Sequence, residues 1–252
     1  MQEFGVDEAG KGPVLGSMFA AAVAVDPAEL PGDVGDSKGI APERRAELAE
    51  RIREVGSVGV AEIPVERIDD EETDMNSLTV AAHAEAVDAL ADAVEETPTD
   101  DDPLEGYVDA GDTNAVRFER RVEDAADAAV DARAEHGADE TYTVVGAASI
   151  VAKVARDAHV ERLAEEYGEV GSGYPGDDTT REFLEAYVAD HEELPACARA
   201  SWQTSKDALA AVSQSSLGEF EPDGGRAVDE SPEETEVRSD GSGLRRTTLD
   251  DF

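Results

Sequence analysis

Apolar positions along this chain follow two rhythms, and the change from one to the other predicts its architecture. Around Val6, and again over "GSMFAAAVAVD" (Gly16 to Asp26), short apolar runs bounded by glycine or by Asp26-Pro27 predict two strands paired like a β-hairpin. "PERRAELAERIREV" (Pro42 to Val55) instead spaces Leu48, Ile52 and Val55 at helical intervals, and its opening proline suits the first turn of an amphipathic helix. "SVGVAEIPVERI" predicts a further strand, followed by an alanine-rich helix from about Ser77 to Val94 and a solvated loop at "EETPTDDDP". Next come a strand ending in "GYVDAGD", a helix over "AVRFERRVEDA", a strand near "AAVDARAEH" and a long helix from about Val144 to Tyr167. In that helix Ile150, Val154 and Ala158, four apart, predict a buried face. Two or three further helices follow "GSGYPGDD", and strands alternating with helices define the α/β class.

Near Ser213 the pattern lapses. From "SQSSLGEFEPDGG" to "SDGSG" the chain is rich in Ser, Gly, Pro and acidic residues, too poor in large apolar side chains to offset its ordering entropy. This divides the sequence into a folded unit at 1–212, a disordered acidic linker at 213–244, and a short end at 245–252 that regains basic and apolar residues in "LRRTTLDDF".

Charge narrows the setting. Among 252 residues, 61 acidic against 21 basic side chains give a net charge of −40, enough self-repulsion to weaken the compact state in dilute salt. Because the screening length falls to about 3 Å at molar ionic strength, such a chain fits a halophile's cytoplasm, and its charge reports the solvent more than the partner. No apolar run reaches the length of a membrane span and no secretory leader opens the chain, so a cytoplasmic location is expected. The single cysteine, Cys197, excludes an internal disulfide and a multi-cysteine zinc site and reads as core filler.

Candidate chemistry begins at "FGVDEAGKGPVLGSM". Gly5, Gly10 and Lys11 have the spacing of a phosphate-binding loop, but Gly12 replaces the required Ser or Thr, and Asp7 and Glu8 would lie inside the phosphate cradle. Adjacent acids on a strand point to opposite faces unless the strand is ending. Carboxylates at strand ends suit a hard cation such as Mg²⁺, and Gly10 and Gly12 free the backbone for close approach to a ligand. A solvated acidic loop is the competing reading. Asp109, with Asp112 as its rival, ends a second strand, and Asp139 stands near a helix start where it could equally be an N-cap. Only four lysines occur. Lys38 in "GDSKGI" and Lys153 on the long helix are candidates for phosphate contacts, and Tyr174 in a rigid Gly/Pro turn is a candidate for stacking. The four histidines, His83, His136, His159 and His191, are scattered and read as structural or solvated.

Taken together, "VDEAGKGPVLGSM", "DSK", "YVDAGD", "GADE", "AASIVAKVARD" and "GSGYPGD" stand in the order and spacing of type 2 ribonuclease H (ribonuclease HII), and the chain resembles its archaeal branch over residues 1 to about 210. The resemblance implies a ribonuclease H-like fold, a mixed five-stranded sheet flanked by helices with a small helical C-terminal part. It implies catalytic, metal-binding carboxylates at Asp7, Glu8, Asp109 and Asp139, holding Mg²⁺ or Mn²⁺ in a two-ion hydrolysis that leaves 3′-hydroxyl and 5′-phosphate ends. The implied substrates are RNA–DNA hybrids and DNA carrying single ribonucleotides, with Gly10, Lys11 and Gly12 reading the 2′-hydroxyl and Tyr174 stacking at the junction. The family usually has arginine where this chain has Lys11. Archaeal members often end in a peptide that docks on the replication sliding clamp; "RTTLDDF" resembles it, with Leu249 and Phe252 as anchors and Arg246 where glutamine is expected. A monomer is expected. The rival functions are a non-catalytic module that grips hybrid duplexes and an unrelated metal-dependent phosphatase.

Overall fold

The computed structural model describes residues 3–34 and 39–218. Five strands, β1 (Glu3–Ala9), β2 (Met18–Val25), β3 (Ser57–Ile63), β4 (Leu104–Asp109) and β5 (Val130–Glu135), form one mixed sheet in the order β3-β2-β1-β4-β5. The first three are antiparallel neighbours, whereas β4 pairs parallel with both β1 and β5. The helices are α1 (Pro42–Val55), α2 (Val65–Ile68), α3 (Met75–Ala91), α4 (Ala115–Ala125), α5 (Ala138–Thr141), α6 (Thr143–Tyr167), α7 (Asp178–His191) and α8 (Gln203–Gly218). The expected strand over "SVGVAEIPVERI" therefore stops at Ile63: Pro64, which has no N–H to give a ladder, ends it, and the last four residues form α2. In α8 the helix runs past Ser213, where the composition changes, to Gly218.

Every residue of β2 is buried because the sheet is covered on both sides. Met18, Ala20 and Ala22 join Leu78, Val87, Phe118 and Val122 of α3 and α4, while Ala21, Val23 and Val25 join Leu48 and Ile52 of α1 and Val145 and Ile150 of α6. Close approach is built in: a Cβ at Gly5 would lie 2.4 Å from the α6 backbone at Val144 and Val145, so α6 rests directly on the strand that carries Asp7 and Glu8. That contact revises the expected face of α6. From Val144 to Ala152 it is buried on all sides, whereas Val154 and Ala158 are only half-buried as the helix leaves the sheet. Its far end meets a third core, in which Val14, Leu15 and Leu163 pack with Leu184, Val188, Cys197 and Ala208 of the C-terminal lobe. Burial pushes the Cys197 thiol up to about 12, as suits core filler.

The outer edge of β5 is closed by carboxylates. Ala132 N–H donates to Glu123 and Ala134 N–H to Glu119, each at 3.0 Å, so two side chains one turn apart on α4 take ladder donors that a second strand could otherwise use. Among the described residues no helix is long and apolar enough to cross a membrane.

Candidate active site

Asp7 and Glu8 sit on the central strand, and because β1 continues to Ala9 the two side chains point to opposite faces. Asp7 is 6% exposed, turned toward α6, where the Ser149 hydroxyl donates to it; its own Oδ1 accepts the Glu8 N–H at 2.7 Å. Burial raises the Asp7 pKa well above the ordinary carboxylate value, and the negative charges of Glu8 and Asp109 raise it further. Glu8 turns toward α3, where Oε2 lies 2.8 Å from Nε2 of His83. Burial alone would push Glu8 up, but His83 and the Lys11 charge outweigh it and leave its pKa low.

The parallel register Val6↔Val108 brings Asp109, at the end of β4, beside this pair. Its Oδ1 accepts the Ala138 N–H at 2.8 Å. Burial raises its pKa, opposed by the Ala138 and Gly137 N–H groups and reinforced by Glu8 and Asp139. Asp139 is buried in the first turn of α5, where Gly137 is the N-cap and no side chain caps that helix, so Asp139 is not itself the cap. Asp112, the rival of Asp109, is instead paired with Arg117 and Thr113, and Arg117 holds its pKa low.

Asp7, Glu8 and Asp109 thus lie within electrostatic reach of one another, Asp139 acts on Asp109, and at Asp7 and Asp109 burial and neighbouring negative charge outweigh the groups that favour ionisation. That donor set, all hard oxygen and short of positive charge, fits a divalent cation. Among the described residues no three His, Cys, Asp or Glu side chains are gathered tightly enough to hold an ion as they stand, and Asp7, Glu8 and Asp109 each meet a protein partner.

The glycine turn follows directly. Gly10 has φ 91°, a conformation glycine adopts without strain, and it bends the chain back across the sheet end. The Lys11 charge acts on Glu8, and Nζ donates to the Gly111 carbonyl at 2.5 Å. A Cβ on Gly12 would be 3.8 Å from the ring of Tyr174, which is 47% exposed and stands against the turn. Between the turn and α6 lies a cavity of about 620 Å³ lined by Glu8, Gly10–Gly12, Arg45, Lys153, Arg156 and Tyr174 among others. Lys153 Nζ donates to the Ser149 hydroxyl at 2.8 Å, which links it through Ser149 to Asp7. The structure therefore brings together Asp7, Glu8, Asp109 and Asp139 with Gly10, Lys11, Gly12, Lys153 and Tyr174. Lys38, Leu249 and Phe252 lie outside the described residues.

Two side chains escaped the sequence reading. Of the structural and solvated readings His83 takes the structural one, but its partner was not foreseen: fully buried, edge-on to Phe118 at 5.1 Å between ring centroids, it faces Glu8. Arg199 is also fully buried and grips the glycine turn from beneath. The only signals were a histidine inside the apolar run "TVAAHAEAV" and an arginine among small residues in "PACARASW", and neither says what it faces.

A two-sided sheet of this order, with carboxylates at the ends of its adjacent parallel strands, defines a ribonuclease H-type endonuclease. The family model of ribonuclease HII matches residues 4–205. Ribonuclease HII of Haloarcula marismortui is 66% identical over 218 residues, 86% of this chain and 99% of the relative. Ribonuclease H2 of Pyrococcus horikoshii superposes with a TM-score of 0.74 at 31% identity, over 85% of this chain and 100% of that one. The ribonuclease HII in the PCNA:RNase HII complex of Archaeoglobus fulgidus gives 0.70 at 37%, over 81% and 96%. The chain belongs to the ribonuclease HII family, and its charge of −40 marks it as a halophile's member.

Proposed function

We propose that this enzyme hydrolyses the RNA strand of RNA–DNA hybrids and cuts on the 5′ side of single ribonucleotides embedded in DNA, leaving 3′-hydroxyl and 5′-phosphate ends. The observation that carries the reading is the juxtaposition of charge-starved carboxylates at Asp7 and Asp109 with the glycine turn at Gly10–Gly12. Asp7, Glu8, Asp109 and Asp139 would hold two divalent ions, Mg²⁺ or Mn²⁺. Bound there, these supply a nucleophilic water at neutral pH and stabilise the leaving oxygen. The protein's own part is positional. Ser149 and the Glu8 N–H fix Asp7, the Ala138 N–H fixes Asp109, and His83 fixes Glu8. The turn reads the 2′-hydroxyl through its backbone, Tyr174 stacks at the junction, and Lys38 and Lys153 contact phosphates. We place the enzyme in the cytoplasm as a monomer whose catalytic unit spans 1–212, followed by an acidic linker at 213–244 whose first residues continue α8 to Gly218.

The test is cleavage of a labelled DNA duplex carrying one ribonucleotide, in concentrated KCl with Mg²⁺ or Mn²⁺, by wild type and Asp7→Asn. A cut 5′ of the ribonucleotide that vanishes in the variant is expected. No cut with either metal, on this duplex or on a longer hybrid, would leave the chain as a binding module. The A. fulgidus relative was solved with PCNA. By the same chemistry the end at 245–252 docks on the sliding clamp through Leu249 and Phe252. Deleting Leu249 to Phe252 should abolish clamp binding in a pull-down and leave hydrolysis of naked hybrid unchanged; undiminished clamp binding would sink the assignment.

A further inference from the structure

Arg199 is the buried side chain whose chemistry the proposed function leaves unused. Its guanidinium donates from Nη2 to the Gly10 carbonyl at 2.6 Å, from Nη1 to the Lys11 carbonyl at 3.0 Å and from Nε to the Gly16 carbonyl at 2.9 Å. Its backbone N–H takes the Val14 carbonyl at 2.8 Å. Three residues on, the Trp202 indole N–H donates to the Gly12 carbonyl at 3.3 Å, and the indole ring lies 4.8 Å beneath the guanidinium carbon. Residues 199–202 of the C-terminal lobe thus hold five carbonyls of the stretch from Gly10 to Gly16. The remaining side of Gly12 faces Tyr174 and the cavity.

What makes this more than packing is the charge. In a chain of net charge −40, Arg199 is 0% exposed, and its guanidinium donates to backbone carbonyls of the turn. Burial and the nearby Arg156 push its pKa down to about 10, against the negative charge of Asp69. A fold that needed only an anchor here could use an apolar side chain, which avoids the desolvation of a guanidinium. A planar fork with donors fixed in direction does what an apolar group cannot: it sets the direction of the Gly10 and Lys11 peptide planes independently of the core around them.

We propose that Arg199, supported by Trp202, is a positioning residue of the glycine turn, tying the C-terminal lobe to the geometry in which the turn meets the substrate sugar. This rests on the nuclease reading above. Arg199 is fully buried and its guanidinium donates to carbonyls of the turn, so its loss acts through Gly10 and Lys11 on the step that needs the scissile phosphate aligned with the carboxylates.

The experiment compares full-length wild type, Arg199→Lys, Trp202→Phe and Leu184→Ala in concentrated KCl. Leu184 is buried in the apolar core of the same lobe and has no polar group with which to orient a carbonyl of the turn, so Leu184→Ala reports plain destabilisation. Melting temperature, folded fraction, kcat and KM are measured on the single-ribonucleotide duplex. Arg199→Lys keeps the charge and loses the fork; kcat per folded molecule should fall by about a hundredfold, the scale of a 1 Å misalignment, with KM within about twofold. Trp202→Phe should lower kcat severalfold, and it carries the test if Arg199→Lys does not fold. Leu184→Ala should lower the melting temperature and leave kcat per folded molecule unchanged. If Arg199→Lys and Trp202→Phe behave like Leu184→Ala, losing stability and no turnover, the positioning role is wrong. Absence of cleavage by wild type would instead refute the nuclease reading, a separate outcome.

Discussion

Asp7→Asn should make the metal-free protein more stable. Asp7 is 6% exposed, and burial and then Glu8 raise its pKa, with a lesser push from Asp109, against the opposing effects of the Ser149 hydroxyl and the Glu8 N–H. A carboxyl whose folded pKa lies above its unfolded value of about 3.9 destabilises the fold wherever it is ionised. That deficit opens as pH rises through the unfolded value and is complete above the folded one. Asparagine keeps an oxygen for the Glu8 N–H, now accepted at 2.7 Å, and discards the charge. An uncompensated buried charge is worth roughly 3 kcal/mol or more, and the weakening of the charge-assisted bonds that Asp7 accepts from Ser149 and the Glu8 N–H reduces the expected gain to about 2 kcal/mol. For an ordered unit of this size 1 kcal/mol moves Tm by about 2–4 °C, so Asp7→Asn should melt about 4–8 °C higher. The assay is thermal unfolding by circular dichroism in about 3 M KCl with EDTA, from pH 5 to 8. Salt of that strength screens surface charge while leaving buried repulsion largely intact. The advantage should widen with pH, and adding Mg²⁺ or Mn²⁺ should raise the wild-type Tm more than the variant's, since an ion bound only by the folded state stabilises it. A variant less stable than wild type across this range, or an advantage that narrows as pH rises, refutes the account of Asp7 as a carboxylate held for a cation.

Two further predictions concern the loop and the solvent. Asp177 accepts from the Ser172 N–H at 2.6 Å and the Thr179 N–H at 3.1 Å, and these bonds lower its pKa, so its contribution is present above the unfolded value and lost as pH falls through the folded one. Asp177→Asn should therefore lower Tm at pH 7, with the difference shrinking on acidification toward pH 3 in melting curves; a pH-independent difference would rule this out. Because the acidic surface needs screening while phosphate contacts weaken with salt, initial rates should pass through an optimum at high KCl. Rates that fall steadily from dilute buffer upward would show that screening is not what the charge of −40 requires.

Much of the fold was legible because its signals are local. The proline opening α1, the apolar run of β2 between Gly16 and Asp26, and the helical spacing over "AVRFERRVEDA" each report on their own neighbourhood, and α1 and α4 have the bounds those patterns predict. Where the reading slipped, the missing information was the neighbour. Val154 and Ala158 repeat at four residues yet are only half-buried, because what covers α6 is set by the sheet and by a lobe that follows it in the chain.

The candidate site divides in the same way. The sequence by itself determined which residue types were available: two adjacent acids before a glycine turn, a third acid ending another strand, scarce lysines, a tyrosine in a rigid turn. Spacing alone left Asp109 against Asp112 and metal ligand against N-cap open, because it does not say which carboxylate already has a cation, and only the family resemblance implied Asp109 and Asp139. Tertiary structure separated the first pair by giving Asp112 to Arg117 and leaving Asp109 beside Glu8, and it placed Gly137, not Asp139, at the cap of α5. It alone decided the partners of His83 and Arg199, which lie 75 residues from Glu8 and 189 from Gly10 along the chain. Local sequence fixes what a side chain can do; burial and opposing charge, which are properties of the assembled core, fix what it is made to do.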